Sequence, residues 1–127
     1  AADVECTACR DLVVHSLFLL RRRRVPASRE ARKDATYAVL EHLCAALNAR
    51  RPQPSRWSWS RLEEACSGAR DALTDDHPSV LASALAGGPT PKDRDDAEAY
   101  YPDPRKAATK LCGPQVLDVC SAGRQEL

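Results

Sequence analysis

The chain has 127 residues, 43% of them hydrophobic, which is the size and composition of one compact domain (1–127) able to bury a core. A formal charge of +1, from 19 Lys and Arg against 18 Asp and Glu, argues against a nucleic-acid binder relying on a dominant positive field, so no nucleic-acid partner is expected. The longest apolar stretch, residues 12–20, is interrupted by His15 and Ser16 and falls well short of the roughly 20 residues of a membrane-spanning helix.

With no Met and the opening Ala1-Ala2-Asp3, the chain is expected to be a mature product whose leader has been removed. Apolar residues then recur at helical spacing over residues 4–20. Cys6, Cys9, Val13 and Leu17 form one stripe, and Leu12, Leu19 and Leu20 widen it, which predicts a first helix. Arg21, Arg22, Arg23 and Arg24 follow, and Val25-Pro26 breaks the run into a turn. Ser28 is the expected N-cap of a second helix, with Ala35, Val39, Leu40, Leu43, Cys44 and Leu47 on its apolar side. Its polar side is expected to carry Arg32, Lys33, Asp34 and Glu41, and it should fail before Pro52.

Residues 50–60 hold two prolines, two tryptophans and three serines, the composition of a connector. Ser60 with Glu63 makes a capping box, whereas Ser58 as the cap lets Trp57 staple onto Leu62; either begins a third helix through Leu62, Cys66, Ala69 and Leu73. Asp76-His77-Pro78 ends that helix and opens a short fourth through Val80, Leu81, Ala84 and Leu85, closed by Gly87-Gly88. Residues 87–103 contain three of the nine prolines and a mixed-charge run, so a long surface loop or partly ordered insertion is expected there. Asp103-Pro104 starts another helix that ends near Cys112, Gly113-Pro114 interrupts it, and a last helical segment is expected to carry Val116, Leu117 and Cys120. No segment sustains period-two alternation and there is no internal repeat, so the predicted fold class is all-α.

The six cysteines, Cys6, Cys9, Cys44, Cys66, Cys112 and Cys120, suit an oxidising compartment, and their number alone leaves about 15 pairings. Cys6 and Cys9 are three apart on a helix and share a face, as Cys112 and Cys120 roughly would in the predicted closing segments. If the first helix packs against the last, Cys6 would meet Cys120 and Cys9 would meet Cys112, leaving Cys44 and Cys66 to close the hairpin between helices two and three.

Cys6-Thr7-Ala8-Cys9 on a first helix, a middle pair at Cys44 and Cys66 and a closing pair at Cys112 and Cys120 resemble the saposin-like pattern, whose pairing is nested in this way. The long interval between Cys66 and Cys112 and the final Arg124-Gln125-Glu126-Leu127 depart from ordinary saposins. Together they resemble the canopy family, saposin-like proteins retained in the endoplasmic reticulum. Over nearly the whole chain, this resemblance implies a saposin-like helical bundle stapled by three disulfides. It also implies a non-catalytic accessory chaperone that helps receptors or other secreted clients to fold, beside a larger lumenal chaperone. Arg124, Gln125, Glu126 and Leu127 are similar to the Lys-Asp-Glu-Leu class of retention address, so the endoplasmic reticulum lumen is the expected location.

Other readings compete. Cys6 and Cys9 would suit a thiol–disulfide oxidoreductase, since a helix N-terminus lowers a thiol pKa, but the strand that precedes a thioredoxin-like motif is missing. A zinc site using these cysteines with His15 or His42 lacks a second close ligand pair, and His15, His42 and His77 stand in no nucleophile motif. No catalytic residue, cofactor or metal is therefore expected. Arg21, Arg22, Arg23 and Arg24 are candidates for contact with an acidic partner or, peripherally, an anionic lipid surface, against a solvated helix end complementing its dipole. A saposin-type lipid binder is accordingly the main alternative function. Trp57 and Trp59 are candidate interface anchors, one of them expected to pack at the start of the third helix instead, and Tyr100 and Tyr101 are a second aromatic pair of the same kind.

Overall fold

A computed structural model of the protein describes residues 3–50, 57–86 and 88–120. In chain order its helices are α1 (Asp3–Leu20), α2 (Arg29–Arg50), α3 (Trp59–Asp76), α4 (Pro78–Ala86), α5 (Ala97–Tyr100) and α6 (Pro104–Cys112). No strand occurs among the described residues, and the fold is an all-α bundle stapled by three disulfides.

The apolar residues of α1 dictate its central place. Val4, Ala8, Cys9, Leu12, Val13, Leu17 and Leu20 are all buried, and the helix packs against α2, α3 and α6. A helix touching three others needs an apolar stripe wider than a surface helix carries, which accounts for the nearly continuous run over residues 12–20. Ser16 sits inside that run at no cost in unpaired groups, because its hydroxyl donates to the Val13 carbonyl at 2.8 Å.

Local chemistry sets the helix starts. The Ser28 hydroxyl accepts from the Ala31 amide at 3.0 Å, Ser58 accepts from Arg61 at 3.2 Å, and Asp103 accepts from Arg105 at 2.8 Å with Pro104 filling the first turn. Ser58 rather than Ser60 is thus the cap of α3.

Two expectations are corrected, and a third is made more specific. Arg32 does not belong to the polar side of α2: it is 2% exposed, and its guanidinium donates to the carbonyls of Pro26, Ala27 and Gly88 and to the Thr90 hydroxyl. Those backbone oxygens lie outside helices and need donors, and a forked guanidinium supplies several at once. The expected insertion is, over its described part, largely irregular and docked on the bundle. The Val25 amide donates to the Arg94 carbonyl, the Arg94 Nε donates back to the Val25 carbonyl, and Asp96 caps the short α5. Finally, the segment after α6 is a compact turn, not a helix. Asp118 adopts a positive φ of 56°, and the amides of Val119 and Cys120 return to the Cys112 carbonyl. Gly113 allows that reversal, since a Cβ there would lie 2.5 Å from the Thr109 carbonyl oxygen.

Candidate functional site

The turn after α6 brings Cys120 beside Cys112, and α1 presents Cys6 and Cys9 to the pair. Cys6 is bonded to Cys120, Cys9 to Cys112, and Cys44 on α2 to Cys66 on α3, in nested order. None of the six cysteines is free. Cys6-Thr7-Ala8-Cys9 is therefore neither a dithiol nor an internal bridge. No cluster of three or more His, Cys, Asp and Glu side chains fit to hold a metal gathers among the described residues.

The four arginines differ in their surroundings. Arg21 is half-buried with its Nε lacking a hydrogen-bond partner, while Arg24 reaches across to Asp95 at 3.0 Å in an exposed pair. Arg22 and Arg23 remain exposed. The tyrosines are split as well. Tyr101 is buried and meets Tyr100 edge to face, with ring centroids 4.9 Å apart. Tyr100 donates its hydroxyl to the Gly88 carbonyl at 3.2 Å and lies 5.5 Å beneath the Arg32 guanidinium. Both rings anchor the docked insertion, and the expectation that Tyr101 offers a partner contact is corrected by its burial. Trp57 is half-buried and Trp59, the first residue of α3, is 43% exposed. Arg124, Gln125, Glu126 and Leu127 lie outside the described residues.

A surface that the sequence did not single out lies between α1 and α2. His15, Phe18 and Leu19 of α1, continued by Arg22, follow the spacing i, i+3, i+4, i+7, and they face Leu43, Ala46 and Leu47 of α2 across a groove of about 300 Å³. Phe18 is 46% exposed, and His15 packs edge-on against it with centroids 6.1 Å apart. The signal was present in the residues: α1 carries more apolar side chains than one buried stripe uses, and the surplus at Phe18 is exposed, with Leu19 partly buried against the core beside it. A larger hollow of about 440 Å³ between α2 and α4 mixes Arg29 and Lys33 with Glu30 and offers no single preference of charge.

No family model matches the chain, and neither a similar curated protein nor a similar solved structure was found. No helix among the described residues is long and apolar enough to cross a membrane.

Proposed function

We propose that the protein is an accessory chaperone of the endoplasmic reticulum lumen, similar to the canopy family, which binds a larger lumenal chaperone and its receptor or secreted clients without catalysing a reaction. The observation that carries this reading is the nested bridging of all six cysteines. Three bridges in a chain of this size suit an oxidising compartment, and cysteines committed to bridges serve as staples rather than as exchange partners. The thiol oxidoreductase reading loses its motivation, because it needs Cys6 and Cys9 free or joined to each other. The groove beside Phe18 gives a protein-binding role a surface to act through.

Two measurements test the proposal. Affinity capture from lumenal extract with the full chain is expected to enrich a chaperone together with nascent receptors; recovery of lipid alone would favour the saposin-type reading. In cells, Leu127→Lys, or residues appended after Leu127, is expected to divert the protein into the medium, since retention receptors read a free terminal motif. Unchanged intracellular retention would overturn the proposed location.

A further inference from the structure

Resting on the reading of the molecule as a binding protein, we infer that the groove between α1 and α2 docks an amphipathic, acidic segment of a partner polypeptide. Such a segment seats apolar side chains against Phe18, Leu19, Leu43 and Leu47 and sets a carboxylate against Arg22.

The geometry is that of helix-in-groove recognition. Two helices present stripes at i, i+3 and i+4 to each other but leave an open trough instead of closing it, and the trough is lined mainly by apolar side chains, with His15 and Arg22 among them. Phe18 has the highest fractional exposure of the large hydrophobic side chains described, 46%, so covering it removes apolar surface from water. Charge then selects the occupant. The groove is lined by Arg22 and His15 and by no carboxylate. Arg24 is already engaged with Asp95, whereas Arg22 and the adjacent Arg23 are exposed and in no ion pair among the described residues. The surplus positive charge of the arginine run is thereby concentrated at one end of an apolar trough, and its complement is a helix with apolar anchors and an Asp or Glu at the matching end.

A membrane surface is the less fitting occupant. Interfacial binding needs a continuous apolar face, whereas the exposed large hydrophobics described are two, Phe18 and Trp59, on different helices. The trough also has room for a few side chains only.

The test uses the intact, oxidised protein, isotope-labelled, and synthetic helical peptides of about four turns. One carries Leu at i and i+4 followed by Glu; its counterpart has Lys in place of Glu. The amide signals of His15, Phe18 and Leu47 are expected to shift with the Glu peptide, which should bind about tenfold tighter than the Lys peptide. Arg22→Glu should invert that preference. Phe18→Asp should weaken both peptides by about tenfold or more. Both side chains are exposed, so unfolding temperatures should stay close to that of the parent. Equal affinity for the two peptides, shifts mapping elsewhere, no binding, or a response only to phosphatidylserine vesicles would overturn the inference. If lumenal capture survives Arg22→Glu and Phe18→Asp unchanged, the folding-helper reading stands and the groove falls. If the groove binds the Glu peptide while no lumenal chaperone is captured, the groove stands and that reading falls.

Discussion

Tyr101 shows how one side chain can carry pH dependence into a fold without any catalytic role. It is 4% exposed, and burial pushes its phenol pKa above the usual value, with Tyr100 acting in the same direction and Arg32 and Arg23 opposing. The proton is thus held more tightly in the folded chain than in the unfolded one. The stabilisation this represents is complete below the unfolded value of about 10 and is lost as pH rises through the folded value. Denaturant midpoints measured from about pH 8 to pH 11 are expected to fall at the alkaline end, and to fall less in Tyr101→Phe. Identical alkaline slopes would mean that the phenol ionises as freely in the fold as outside it.

The described insertion, residues 88–103, behaves as a docked element, and Arg32 is its fastening. Its guanidinium satisfies carbonyls on both the α1–α2 connector and the insertion, at 3.0 Å for Pro26 and 3.2 Å for Gly88. No carboxylate shares the hydrogen bonds that hold it. The Ala27 carbonyl keeps the Thr90 hydroxyl and the Gly88 carbonyl keeps the Tyr100 hydroxyl, so of the three carbonyls it is Pro26 that loses its donor, and Arg32→Leu is expected to destabilise the protein by about 1–3 kcal/mol. Amide exchange should accelerate at Val25 and across residues 88–100 before it does in α1. Arg32→Lys should recover little, because an ammonium cannot span the same set of acceptors. Uniform acceleration throughout the bundle would show that the arginine supports the core rather than the insertion. At this scale the sequence was legible wherever local rules decide. The caps at Ser28 and Asp103 and the stripes of α1 and α2 are written in neighbouring residues, whereas neighbouring residues left Ser58 and Ser60 equally open as the cap of α3. The placement of Arg32 was not, because its acceptors Gly88 and Thr90 are more than fifty positions away in the chain. The turn over residues 113–120 was missed for a related reason. Val116 and Leu117 look helical in isolation, but the bridge partners of Cys112 and Cys120 lie on α1, and reaching both requires the chain to fold back. The groove at Phe18 was hidden because outward and inward apolar residues look alike until the neighbours of the helix are known.

For the whole molecule the two long bridges form a pair with unequal consequences. They close separations of 114 and 103 residues, so once one is made the other adds only a small ring. In the chain-entropy model the first closure contributes about 4–5 kcal/mol and the second about 3 kcal/mol. Removing Cys9 and Cys112 together, or Cys6 and Cys120 together, is therefore expected to cost about 3 kcal/mol, and removing all four about 7–8 kcal/mol. That larger loss is about half or more of the roughly 5–15 kcal/mol by which domains are stable. Equilibrium unfolding of the three variants measures it, and a quadruple variant only as weak as one double variant would refute the nested-ring account. The same nesting has a consequence in time. During synthesis from the N-terminus, Cys44 and Cys66 can join early, but Cys6 and Cys9 wait for partners that appear about 100 residues later. At about 5–20 residues per second that is on the order of 5–20 seconds, overlapping with disulfide formation, which takes seconds to hours. Throughout that interval the nearest thiol to each of the two is the other, so a newborn chain is prone to a premature Cys6–Cys9 bond that must be opened by exchange, with an outside thiolate or with Cys112 or Cys120 once they are made. A molecule with no free thiol in its finished form thus depends on thiol–disulfide exchange while it is being made.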